Sequence, residues 1–380
     1  MLEAIGHLQA LEELQVWCST IPVGVLAETL RHAHRLRKIY FFRVDLAGTQ
    51  EDMDRLGAAM ADHLSLREIR FGGFTVVHPT ATLDGFLKGM KSAPKLETVN
   101  LQLTGYNAAA PFSGEALAIM LQSTSIVNLY MSRLGLGSDH VAVIALALVL
   151  HNRLQVLDLF GNVLENEHIM LMANALAGNA SLETLVLPCP ANDLSINSCV
   201  SIARALRSNS TLVTLNLPRS SLNDDALTHL MEGLTVNRTL KKIEVGVHKD
   251  VGDSGLEALT QMLEKNYDLE RLVVSTSHKS VQEKVDYYRR LNEVGRGSLL
   301  RDDGKATREQ WVDMLVSVKD DLDCLFYFVS TNPAICQFAN AANAPVIITE
   351  VLKTQRRHTI NNAAYAEGGR PIENRRASAV

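Results

Sequence analysis

The chain has 380 residues, a formal charge of −5 and 47% hydrophobic residues, the composition of a folded protein without an electrostatic footprint for nucleic acid. Its five cysteines (Cys18, Cys189, Cys199, Cys324 and Cys336) are odd in number and scattered, so neither a disulfide framework nor a C-x-x-C metal pair is expected. The longest apolar run, Val141 to Leu150, is about half of what a membrane span requires, and the acidic start (Glu3, Glu12, Glu13) lacks the basic and apolar stretches of a leader, so a cytoplasmic protein is expected, with a nuclear address also open.

From the N-terminus onward one pattern, L-x-x-L-x-L, keeps returning. Its anchors are Leu11, Leu36, Leu66, Leu96, Ile126, Leu154, Leu182, Leu212, Leu240 and Leu269, separated by 25 to 30 residues. The rung Leu154-Gln-Val-Leu157-Asp-Leu159 shows the logic: positions 1, 4 and 6 are apolar and the residues between them are free to face water, as in a half-buried strand. A second set of columns precedes each anchor at −13, −10 and −6, which is helical spacing, as in Leu227, Leu230 and Leu234 before Leu240. Each unit is therefore a helix followed by a strand. Neither apolar face can be dry alone, so the units must stack into a parallel sheet lined by helices. The period fits leucine-rich repeats rather than the 33- or 34-residue helical repeats.

On these rungs the sequence resembles the ribonuclease-inhibitor-like subfamily of leucine-rich repeat proteins, whose long repeats hold a full helix. The resemblance implies an α/β solenoid with the parallel sheet on its concave face and helices on its convex face. It covers residues 1–276 as about ten units. The family's asparagine at rung position 9 occurs here only as Asn162. Three N-x-S/T triplets, at Asn179, Asn209 and Asn237, match the glycosylation pattern. Each asparagine lies three residues before an anchor, as Asn266 does, and the reading preferred is a structural one: asparagine replacing glycine in the left-handed region at a helix end. Met1 coincides with the −10 position of the first unit, so the array opens without a polar cap, as a fragment or a mis-set start would.

Beyond Thr276 helical patterns follow: Val281, Val285, Tyr288 and Leu291; then Trp311, Leu315 and Val318, opened by a capping box of Thr307 with Gln310; then Leu322, Phe326 and Val329, closed by Asn332-Pro333. Residues 277–358 are expected to form an α-helical C-terminal cap. Residues 359–380 lose all periodicity and are expected to be a disordered basic tail; from 351 onward six Lys/Arg face only Glu367 and Glu373. The tail ends Arg375-Arg376-Ala-Ser378-Ala-Val380, which looks like a basophilic kinase site and a PDZ-type carboxyl-terminal ligand.

No phosphate-binding glycine loop, dinucleotide fingerprint, H-E-x-x-H or G-x-S-x-G occurs, and the twelve histidines are dispersed. No catalytic residue, cofactor or metal is assigned. What the fold offers is surface. Rung positions 5 and 7 point to solvent on the concave face, where Trp17, Tyr40, Phe42, Arg70, Tyr130, Asp158 and Phe160 are the candidate partner-binding residues, since exposed aromatics are frequent interface anchors. On the convex face the outward columns hold Val143, Leu146 and Leu150 where later units carry Ser, Arg or Lys, a second candidate contact. The function expected is a non-enzymatic scaffold for a protein partner, without nucleic acid or membrane. Two alternatives accompany it. Family members of similar repeat length activate a small Ran-type GTPase, although their tails are acidic and this one is basic. The abrupt start at Met1 also suits the repeat fragment of a nucleotide-regulated receptor.

Overall fold

The computed structural model of the protein describes residues 9–104, 109–150, 153–188, 194–248, 251–275, 279–300 and 306–332. Within the first compact unit, up to Gln282, strands and helices alternate: β1 (Glu13–Trp17), β2 (Thr20–Pro22), α1 (Val23–His32), β3 (Lys38–Ala47), α2 (Gln50–Ala61), β4 (Glu68–Val76), α3 (Asp84–Met90), β5 (Thr98–Leu103), α4 (Gly114–Met120), β6 (Asn128–Ser132), α5 (Ser138–Leu150), β7 (Val156–Asp158), α6 (Asn166–Gly178), β8 (Thr184–Val186), α7 (Ile196–Ser208), β9 (Thr214–Leu222), α8 (Asp224–Val236), β10 (Lys242–Val247), α9 (Asp253–Lys265) and β11 (Arg271–Ser275). The strands form one 11-stranded sheet in the order β1-β3-β4-β5-β6-β7-β8-β9-β10-β11, with β2 beside the second half of β3. All pairings are parallel, and equivalent rung positions lie opposite one another, Leu157 between Leu129 and Leu185 for example. This is a leucine-rich repeat solenoid.

The columns read from the sequence are its core. Positions 4 and 6 are buried in every rung from β3 to β11, from Ile39 and Phe41 to Leu272 and Val274, as are the −10 and −6 helix residues from Leu26 and Leu30 to Leu259 and Leu263. Each such Leu contributes ~1.5–3 kcal/mol on burial. In the early rungs the filling is aromatic: Phe41 stacks on Phe71 at 4.9 Å, and Phe71 on Phe86 at 5.6 Å.

The asparagine column departs from its expected conformation. Asn179, Asn209, Asn237 and Asn266 follow α6, α7, α8 and α9 with extended backbones, φ between −92° and −71°, not in the left-handed region. Their side chains are buried and form a ladder between repeats. Asn209 Nδ2 donates to the carbonyls of Leu176 and Asn179, both at 2.9 Å, while its Oδ1 accepts from the amides of Thr211 (3.0 Å) and Leu212 (2.8 Å). Asn237 repeats this with Leu206, Asn209, Thr239 and Leu240. The hydroxyl of the triplet joins in: Ser181 Oγ donates to Leu154 O at 3.0 Å. The N-x-S/T triplets are thus the turn that ties a helix end and a strand start to the preceding unit. The physical reason is the buried turn itself: its carbonyls and amides need partners, which a primary amide supplies on both sides at once. Asn162, the one position-9 asparagine, ties the other edge, accepting from Leu134 N at 2.9 Å and donating to Met131 O at 2.7 Å.

The second compact unit begins at Glu283. It takes in most of α10 (Lys279–Glu293), then α11 (Arg296–Leu300), α12 (Arg308–Ser317) and α13 (Leu322–Thr331). Thr307 and Gln310 form the expected capping box. Leu291, Leu299, Trp311, Leu315, Leu325 and Phe328 make a core of its own. The buried side of α13 is Cys324, Leu325 and Phe328, one step round from the expected Leu322, Phe326 and Val329, which are half-buried. This helix is apolar on most sides, so spacing alone leaves its phase open. Arg296 is fully buried, with Nε on Asn292 Oδ1 at 2.9 Å and its guanidinium over the Tyr288 and Tyr327 rings.

The ladder separates two explanations of the same residue. Asn209→Gly is expected to destabilise at least as much as Asn209→Ala, each by about 2 kcal/mol or more, because both orphan buried amides and carbonyls. Urea unfolding checks this; restoration of stability by glycine would mean that the site needs a left-handed residue after all.

Candidate functional site

Outward-facing rung positions form the sheet surface, and their side chains are arranged by cross-strand register. Trp17 closes β1, and Phe42 is its partner in β3. The indole is 59% exposed and stacks on the half-buried Phe42 ring at 4.3 Å, 24° from parallel. The next residue across is Gly72. A Cβ there would stand 2.9 Å from Phe42 Cδ1, so glycine leaves the room in which the ring lies. Trp17, Phe42 and Gly72 are one pile across three strands.

Tyr40 and Arg70 are partners in the same two strands. Tyr40 Oη donates to Glu68 at 2.9 Å, Arg70 Nε also bonds Glu68, and the guanidinium lies 5.6 Å from the Tyr40 ring centroid. Burial, and then the bond to Glu68, push the Tyr40 phenol above its ordinary range, so it stays a neutral donor. The two long side chains are held in place by one carboxylate, which lowers the entropy lost when a partner binds.

Tyr130 is half-buried in β6, between Asn100 and Asp158 in the register. Asp158 accepts from the Phe160 amide at 2.7 Å. Burial raises its carboxyl above the usual value, partly offset by that bond. Phe160 is half-buried under Arg133, whose guanidinium is 5.9 Å from the ring centroid. Residues after position 7 turn the chain with left-handed backbones at Cys18, Arg43, Gly73, Arg133 and Gly161. At Gly161 φ is +74° and a Cβ would meet Arg133 Cγ at 2.6 Å. This column, which repeat spacing alone does not reveal, turns the backbone just after position 7; β1 and β6 end there, whereas β3 and β4 resume pairing at Val44 and Phe74.

On the helix side, Leu146 and Leu150 of α5 are 59% and 68% exposed, while Val143 is half-buried. Val149, 60% exposed, joins them; in a helix that is apolar on nearly every side, spacing has no polar face from which to mark it as outward. Leu171 of α6 extends the patch. From Val141 to Leu150 the helix carries no polar residue.

The tail residues Arg375, Arg376, Ser378 and Val380 lie outside the described residues, as do Met1, Cys189 and Cys336. Among the described residues no group of three or more His, Cys, Asp or Glu could hold a metal ion, and no helix is long and apolar enough to cross a membrane.

No protein family model matches the chain. In sequence it is similar to the protein TORNADO 1 of Arabidopsis thaliana, 24% identical over 208 residues, which is 52% of this chain and 15% of that protein's length. Among solved structures it is similar to actin-binding site 2 of leiomodin-1, at 19% identity over 38% of this chain and 83% of that one, TM-score 0.33. It is also similar to a tropomodulin C-terminal domain of Caenorhabditis elegans, at 17% identity over 36% and 82%, TM-score 0.31. A third likeness is to TLR13 in its complex with ssRNA13, at 14% identity over 72% and 37%, TM-score 0.41.

Proposed function

We propose that this chain is a non-enzymatic scaffold of the ribonuclease-inhibitor-like kind, working in the cytoplasm, that holds a partner protein on the concave sheet face. The observation that carries the reading is the exposed Trp17 indole fixed on Phe42 beside the Glu68-braced pair Tyr40 and Arg70. A large apolar ring that stays in water while its base is clamped is a preorganised anchor, and Trp, Tyr and Arg are the residues in which interface energy concentrates. Tyr130, Asp158 and Phe160 continue the surface three to four rungs further on. Asp158 is partly withdrawn from water without an ion pair among the contacts described, which suits a group completed by a donor on a partner.

A second contact is proposed for the α5 surface of Val143, Leu146 and Leu150, together with Val149. An uncharged helix face beside units with polar outer columns fits another protein chain better than it fits water.

Two affinity purifications test these readings with the full chain as bait. Alanine at Trp17, Tyr40 and Tyr130 together should remove a protein that the wild type retains, with the far-UV spectrum unchanged; an identical set of bound proteins contradicts the sheet-face site. Leu146→Glu combined with Leu150→Lys should remove a different component and leave the sheet-face one bound. If that variant keeps every component and the same solution size, the convex contact is absent.

A further inference from the structure

The outward face of α5 carries an order of its own. Ala142, Leu146, Val149 and Leu150 are exposed and Val143 is half-buried beside them. At 3.6 residues per turn all five fall within about 120° of arc centred on Leu146. Asp139 and Arg153 extend the line: positions 139, 142, 146, 149 and 153 are spaced by three and four in turn, the spacing of a coiled-coil seam. The helix lies inside the array, packed between α4 and α6, so this exposure is not that of an end unit. Asp139 near its start and Arg153 beyond its end are both exposed, and neither has an ion pair among the described residues.

We propose that α5 docks on α5 of a second copy of this chain, antiparallel, with the two-fold axis through Leu146; the proposal rests on the α5 contact put forward above and names its partner. The face is its own complement in that arrangement. Leu146 meets Leu146 of the copy. Val143 and Val149, three residues to either side, meet across the axis, as do Ala142 and Leu150, four to either side, a small side chain against a large one. Asp139, seven residues before Leu146, comes to the end of the copy that carries Arg153, seven after it, so each charge gains an opposite neighbour and no like charges are opposed. Antiparallel helices also set the positive N-terminus of one beside the negative C-terminus of the other. The repeat carries the fit into α6. Leu171, Asn174 and Gly178 hold the places there that Val143, Leu146 and Leu150 hold in α5, so Leu171 faces Gly178 of the copy, where a Cβ would meet no atom within 4 Å and a leucine has room. A parallel pairing would instead set Asp139 on Asp139 and Leu150 on Leu150. Two helices per copy make an interface at the low end of specific ones, which bury about 1,200 Å² and more in all, and that size suits a reversible dimer.

Sedimentation equilibrium of the full 380-residue chain tests the pairing. The wild type is expected to pass from monomer to dimer mass as concentration rises through the micromolar range. Leu146→Glu sets two carboxylates on the axis and should weaken association by about tenfold or more, with an unchanged melting curve. Asp139→Arg should weaken it too, and adding Arg153→Asp should restore it, because the reversed charges pair again in the antiparallel register. In a Cys18→Ser, Cys189→Ser, Cys336→Ser background, Leu146→Cys should cross-link copy to copy on mild oxidation, whereas Val236→Cys, at the exposed place in α8 that Leu150 holds in α5, should not. A wild type that stays monomeric throughout overturns self-docking. The α5 surface then stands as a contact for a different chain if the bait carrying Leu146→Glu and Leu150→Lys still loses a component, and falls as well if that bait loses none. A dimer indifferent to Leu146→Glu lies on another surface and overturns the proposal. So does one that the double charge reversal leaves weak or that Leu146→Cys fails to cross-link, since the antiparallel register through Leu146 requires both.

Discussion

A unit of this protein cannot keep its own apolar face dry, and everything else follows from that constraint. A helix and a strand of about five residues bury their inner columns only when another unit lies against them, so stability grows along the array as nearest-neighbour contacts. The same stacking buries the turns between helix and strand, where carbonyls and amides lose their water. The structure meets the second demand with side chains: the amides of Asn179, Asn209, Asn237 and Asn266 each bridge one unit to the previous one. Apolar columns supply the bulk of the burial, and the polar ladder keeps it from leaving orphaned groups.

The two ends of the sheet solve the turn differently. At the position of the asparagines the earlier units hold Ala33, His63, Ala93 and Ser123. His63 imitates asparagine, with Nε2 on Ala33 O at 3.0 Å and Nδ1 accepting from Ser65 and Leu66 amides. Burial lowers its pKa, as an imidazole that must stay neutral to accept those amides requires. Ser123 and Ser125 share the task, Ser125 Oγ reaching Ala93 O. These are also the units packed by Phe41, Phe71, Phe74 and Phe86, and their outer rings make the aromatic surface around Trp17 and Tyr40. Ring packing inside and anchors outside thus occupy the same third of the sheet, while the later units are aliphatic, regular and tied by asparagine.

Much of this is legible in the sequence because a repeat shows each position several times over. Leu182, Leu185 and Leu187 define a strand only weakly by themselves; the same spacing at Leu212, Leu215 and Leu217 makes the register plain and sets which residues face outward. By that register Trp17, Tyr40 and Arg70 take outward positions of their strands. What spacing does not carry is conformation and contact between columns. Asparagine after a helix suits both a left-handed turn and a bridging amide, and only the carbonyls of the preceding unit decide between them. The pile of Trp17, Phe42 and Gly72 depends on residues 25 to 30 positions apart lying opposite. Val149 and the phase of α13 were missed where a helix is apolar on nearly every side, so that periodicity has no polar face to count from.

Stacking consumes the inner columns and leaves the opposite side of the sheet in water, with an indole standing on it. The chain has two tryptophans, one on that face and the other, Trp311, inside the second unit at 5% exposure. Acrylamide quenching of the Trp311→Phe chain measures the first alone. The fold described here predicts red-shifted emission and quenching close to that of free indole in solution; blue-shifted emission that resists the quencher would mean that the sheet face is packed away and no open surface exists.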